Sequence, residues 1–167
     1  MKMYLTKSFT IFICLFFIWG CSASYKQISN IEDKEPISFQ DYLLNEYKKR
    51  ATFEAEEMHD WNSAKLYSEK ALKSLVTDKI YPEEITYWKL PTESIEEIST
   101  AYDNLMTIYN KAKVNDPYNL AKAISSLDCW LEQQEENWQT WDISRCKEDF
   151  LISMHNIYEK ISTLEKT

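Results

Sequence analysis

Residues 142–164 read DISRCKEDFLISMHNIYEKISTL, and their apolar positions decide the fold. Ile143, Cys146, Phe150, Met154, Ile157, Ile161 and Leu164 recur at intervals of 3-4-4-3-4-3. That is the period of an α-helix with one apolar face, and such a face normally packs into a core. The spacing predicts a helix beginning near Asp142. Immediately upstream, Asp116-Pro117 is a capping residue followed by proline at the first helical position, which starts a helix running to about Asn137. Ser94 and Glu97 have capping-box spacing and predict a helix to about Lys113.

Two further helices are expected nearer the N-terminus. The first covers about Phe39 to His59, capped by Ser38, with Leu44, Tyr47, Ala51, Ala55 and Met58 on one face. The second covers about Asn62 to Val76, with Ala64, Tyr67, Ala71 and Leu75 in register. Between these and the later helices lies a segment with Tyr81-Pro82 and Leu90-Pro91. Its Ile80, Ile85, Tyr87 and Trp88 are too apolar for a solvated linker, so it is expected to pack down. The prolines, at 36, 82, 91 and 117, fall between periodic segments. The expectation is an all-α domain over residues 38–167, with about five helices in one compact bundle.

The N-terminus carries a different signal. Lys2 and Lys7 are its only charges before Lys26, and an apolar run extends from Phe9 to Trp19, interrupted by Thr10. A positive start and a short apolar stretch mark a secretory signal peptide. A spanning helix would need about 20 apolar residues. The run enters Ile18-Trp19-Gly20-Cys21, which resembles the bacterial lipobox, although Trp19 is bulkier than the pattern favours. The resemblance implies cleavage after residue 20 and acylation of Cys21. The alternative is ordinary cleavage after Ala23, giving a free periplasmic protein. Ser22 is consistent with sorting to the outer membrane. Residues 21–37 then read as a lipidated N-terminus and flexible tether.

Processing changes the composition. It removes the chain's single glycine, Gly20, so glycine-rich phosphate loops and dinucleotide fingerprints are excluded. It also removes two lysines, leaving 17 basic residues against 27 acidic, so the net charge goes from −8 to −10. Such acidity argues against nucleic acid and against electrostatic attraction to anionic lipid. Of four cysteines, Cys14 falls in the leader and Cys21 in the anchor. Cys129 and Cys146 remain in a compartment that permits disulfides. Cys129 lies about 180° around its helix from Leu120, on a face shared with Ser125 and Ser126. These small residues would admit the start of the last helix, with Cys146 opposite Cys129. The other face, Leu120, Ile124, Leu127 and Leu131, would meet the remaining helices.

Two resemblances bear on the domain. Ala51 to Leu72 resembles a tetratricopeptide hairpin, through Ala51 and Ala55, the turn His59-Asp60-Trp61-Asn62-Ser63-Ala64, Tyr67 and Lys70-Ala71-Leu72. Thr52 stands where that family has glycine. Only one such unit is recognisable, and about three are needed to stack a solenoid.

The second resemblance spans about Phe39 to Phe150. It is to the helical N-terminal region of OmpA-family lipoproteins of alphaproteobacterial type. It rests on Phe39, Tyr47, residues 54–58 (EAEEM), Asp60-Trp61, Ala64, Lys70-Ala71-Leu72, residues 128–137 (DCWLEQQEEN), Ile143, Cys146 and Phe150. In that family, cell-wall contact belongs to a C-terminal domain that residues up to Thr167 do not match. The resemblance therefore does not bring peptidoglycan binding with it, and implies no catalytic role.

Chemistry-bearing motifs are sparse. Glu54, Glu56 and Glu57, and Glu132, Glu135 and Glu136, are acidic runs on helices, and such runs are ordinarily solvated faces. No calcium-loop pattern accompanies them. His59 and His155 form no metal motif, and His59 beside Asp60 is expected to make a local contact. No nucleophile motif is present. No cofactor, metal site or catalytic residue is expected. Trp130 reads as core. Trp138 and Trp141 flank a turn, where they either plug helix ends or form a partner surface. The expected role is a non-catalytic protein-interaction or scaffold module, held at the outer membrane by its lipid and facing the periplasm. The alternative is a structural lipoprotein that binds peptidoglycan.

Overall fold

In a computed structural model, residues 23–166 are described, so the leader, the lipobox and Cys21 lie outside the described residues. These residues form only helices and loops. α1 covers residues 23–29, α2 is Phe39–Phe53, α3 Trp61–Ser74, α4 Thr92–Asn115, α5 Pro117–Glu136 and α6 Thr140–Glu165. A π turn, Glu54–Met58, prolongs α2, and a single 3-10 turn, Ile85–Tyr87, sits in the long loop. No helix among the described residues is long and apolar enough to cross a membrane.

α5 is the hub, packed against α2, α4 and α6, while α2 and α3 form a helical hairpin. Almost every residue of α5 from Leu120 to Gln133 is buried, so it lacks the polar face a surface helix would keep. The α6 stripe meets it as the spacing predicts: Cys146, Phe150, Met154, Ile157 and Ile161 are buried, whereas Leu164 is half exposed at the fraying end. Cys129 and Cys146 are bonded, with Cα atoms 5.6 Å apart. The bridge ties the start of α6 to α5 on the small-residue face, where Ser125 and Ser126 are also buried.

Of the three caps read from the sequence, two form. Ser38 and Asp41 make a reciprocal capping box on α2, and Asp116 caps α5 ahead of Pro117. The Ser94–Glu97 box does not form. Helix α4 begins at Thr92, and the Pro91 carbonyl accepts the Ser94 N–H at 3.0 Å, so the amide that the Glu97 side chain was to bind is already taken. Without glycine, two left-handed positions fall to His59 (φ 56°) and Asn137 (φ 52°). Both are residue types that tolerate this region better than most.

The loop between α3 and α4 packs down as its apolar content predicts, with Ile80 and Trp88 buried. Tyr109 donates to the Ile80 carbonyl at 2.8 Å, and Lys113 reaches Asp78 at 2.8 Å. The tether reading needs correction for residues 23–31. Ile28 is completely buried in the common core, Tyr25 Oη donates to Glu56 Oε1 at 2.7 Å, and Lys48 donates to the Ile31 carbonyl at 2.6 Å. A few apolar side chains inside a polar, non-periodic segment suffice to dock it on α2.

Candidate functional site

A depression of about 460 Å³ opens where the α2–α3 turn meets the end of α5. Its walls include Glu54, His59, Asp60, Trp61, Gln133, Glu136 and Trp138. The π turn builds one side. The Glu54 carbonyl accepts the His59 N–H and also the Asp60 N–H (2.9 Å), which closes the turn through the left-handed His59. Asp60 then caps α3, accepting from the amides of Asn62 (2.8 Å) and Ser63 (3.1 Å). The opposite side is the last turn of α5, carrying Glu132, Gln133 and Glu136.

Here the reading of the acidic runs as solvated faces is corrected. Glu56, Glu57, Glu135 and Glu136 are exposed, but Glu54 and Glu132 are each only 4% exposed. Glu54 follows Ala51 by three positions on the face α2 turns inward, and Glu132 belongs to the hub helix, which is buried on all sides. Glu132 Oε1 accepts the Ser63 hydroxyl at 2.6 Å, and Oε2 accepts Gln133 Nε2 at 2.8 Å. Glu54 accepts no hydrogen bond from the described residues, and the Gln133 Oε1 is buried without a donor. No ion pair of the described residues includes Glu54, Asp60, Glu132 or Glu136.

The electrostatic consequence is a set of carboxyls whose affinity for protons is raised. Burial pushes Glu54 up to about 8, helped by the neighbouring charges of Glu132 and Asp60. Burial also raises Glu132 to about 7, against the opposing hydrogen bonds from Ser63 and Gln133. Glu136 is raised by burial and by Asp60, while a hydrogen bond from Trp138 works the other way. Asp142, at the start of α6, is raised by burial in spite of Arg145, whose guanidinium lies 2.5 Å away. One oxygen each of Asp60, Glu132 and Glu136 can be chosen so that all three lie within 4.8 Å of one another. Such a cluster has the spacing to take up a cation.

The other residues singled out in the sequence are placed as follows. Trp130 is buried beside Phe150, its indole N–H without a partner. Trp138 and Trp141 are 70% and 56% exposed, so neither plugs a helix end. Trp138 lines the acidic depression, and Trp141 stacks under the Arg145 guanidinium at 5.3 Å. His59 Nδ1 faces the Ala55 carbonyl at 3.4 Å, the local contact expected of it. A larger groove, about 620 Å³, runs between α4 and α6 over Trp130, Phe150 and Met154, with Glu93, Glu96 and Glu97 along its rim.

Set against protein-family models, curated proteins and solved structures, the chain matches none. What defines its class is its own architecture: an all-α domain with a disulfide-tied hub helix. The tetratricopeptide-like and OmpA-family likenesses rest on the residues quoted for them.

Proposed function

We propose that the chain is a lipid-anchored envelope lipoprotein whose helical domain works as a non-catalytic interaction or scaffold module at the outer membrane. The observation that carries this reading is the exposure of Trp138 and Trp141 at the α5–α6 turn. Large indoles left in water beside a folded core are costly to hydrate, and they are the side chains most enriched at protein interfaces. The leader and lipobox-like Cys21 support the location. The exposed indoles border a depression lined by carboxyls and amides, a mixture of apolar and polar groups suited to a specific contact.

Affinity capture from solubilised membranes tests the module. The wild-type chain is expected to retain a reproducible protein partner that the Trp138→Ala/Trp141→Ala double variant loses. Equal capture by both would sink the proposal for this surface. Retention of the chain on purified sacculi, unaffected by protein competitors, would favour peptidoglycan as the partner instead. Intact-mass measurement addresses the anchor separately: acyl mass on a chain beginning at Cys21 is the expected result, and its absence removes the anchor.

A further inference from the structure

We propose that the depression between the α2–α3 turn and the end of α5 binds one hard divalent cation of the calcium class, through Asp60, Glu132 and Glu136, with Glu54 lining the same depression. This goes beyond the interaction reading and does not depend on the anchor. The geometry comes first. Calcium holds oxygens at about 2.3–2.6 Å, so two ligands of one ion sit up to about 5 Å apart. The chosen oxygens of Asp60, Glu132 and Glu136 all lie within 4.8 Å of one another, which lets a single ion touch all three.

The second observation is independent of that cluster. Glu54 is almost completely buried, lines the same depression and accepts no hydrogen bond among the described residues. Beside it the Gln133 Oε1 is a buried carbonyl oxygen with no donor. A buried acceptor with no partner is unfavourable, because it has given up water without gaining a donor. The missing partner is thus a donor or a cation at the spot both groups line. The ligand set is carboxylate and amide oxygen, without sulfur, and the His59 ring is turned to the Ala55 carbonyl. Oxygen-only sites suit calcium, magnesium and manganese, and mismatch zinc and copper. Several carboxylates on two separate elements form an adaptable cage, which favours calcium over the strictly octahedral, reluctantly dehydrated magnesium ion.

The test uses the full chain in detergent, stripped with chelator, and terbium as a luminescent stand-in for calcium. Trp61 and Trp138 line the depression and serve as built-in antennae. Indole-sensitised luminescence is expected to saturate at one ion per chain and to be displaced by calcium. Calcium at roughly a hundredfold excess over its dissociation constant should raise Tm by on the order of 10 °C. Glu136→Gln, an exposed position whose loss leaves the core intact, should weaken binding by at least about tenfold. Glu93→Gln, on the rim of the other groove, should leave binding unchanged. Failure of terbium to saturate overturns the proposal. So does saturation that Glu136→Gln and Glu132→Gln both leave untouched, or displacement by spermidine with calcium inert.

Discussion

Asp128 and Glu132 stand one turn apart on α5, both shut away from water, yet their surroundings differ. Asp128 receives the Tyr47 hydroxyl at 2.6 Å, the Lys70 ammonium at 2.5 Å and the Glu83 amide at 2.7 Å. Lys70 also reaches Glu83 at 3.1 Å and the Tyr81 carbonyl at 3.2 Å. This centre fastens the α3–α4 loop to the hub, and its charge is fully answered. Glu132 has only neutral donors for company, the Ser63 and Tyr67 hydroxyls and the Gln133 amide, and, one element away, the carboxyl of Glu54. A fold that supplies a buried lysine for one acid and none for its neighbours separates a structural centre from a site held open for something else.

The largest effect expected is on the answered acid. Lys70→Met should destabilise by about 3–5 kcal/mol in urea unfolding, because it strands the Asp128 charge in the core. A loss below about 1 kcal/mol would break the contrast, since Asp128 would then manage without its cation. Next comes the bridge at Cys129, which sits between the two acids in sequence. Reduction should lower stability by about 3 kcal/mol, visible as a Tm drop of several degrees, and an unshifted Tm would show that α5 and α6 hold without it.

The unanswered acid should show itself through pH. Glu54 is raised from its ordinary 4.5 to about 8, so between those values the folded chain keeps a proton the unfolded chain has released. The linked stability is complete below about 4.5 and falls as pH rises toward 8. In chelator, the wild-type Tm is expected to fall between pH 5 and pH 8. Glu54→Gln should flatten that fall and leave the part due to Glu132. Equal slopes in the two proteins would place Glu54 in solvent. The smallest effect expected is at the turn: His59→Gly relieves a left-handed non-glycine residue and should stabilise by no more than about 1 kcal/mol. A destabilised His59→Gly would mean that the imidazole contact to Ala55 outweighs the backbone strain.

The contrast was half legible in the sequence. The α6 stripe, the Asp116-Pro117 start and the pairing of Cys129 with Cys146 follow from period, capping and cysteine arithmetic, and the structure has them all. The inward turn of Glu54 was hidden because two exposed acids, Glu56 and Glu57, follow it in the same run. Glu132 was masked in the same way by Glu135 and Glu136. The signal available was positional: Glu54 stands three residues after Ala51, and Glu132 three after Cys129, both on faces otherwise read as buried. Lys70 looked like part of a tetratricopeptide-like Lys-Ala-Leu. Its partner is 58 positions away, a separation no local pattern encodes.

The docked N-terminal segment has a mechanical meaning. Tyr25 packs edge-on against Trp61 at 6.0 Å, and Trp61 lines the acidic depression. Cys21 is four residues before Tyr25, and four residues span at most about 14 Å even when fully drawn out. With an acyl group on Cys21, the domain would ride the membrane on a short leash, its depression and neighbouring indoles held near headgroup height. With the leader also removed, the charge would be −10, and a domain so acidic pressed toward anionic lipid would meet repulsion. A divalent ion in the depression would lessen that repulsion at the place where the leash draws the two surfaces together.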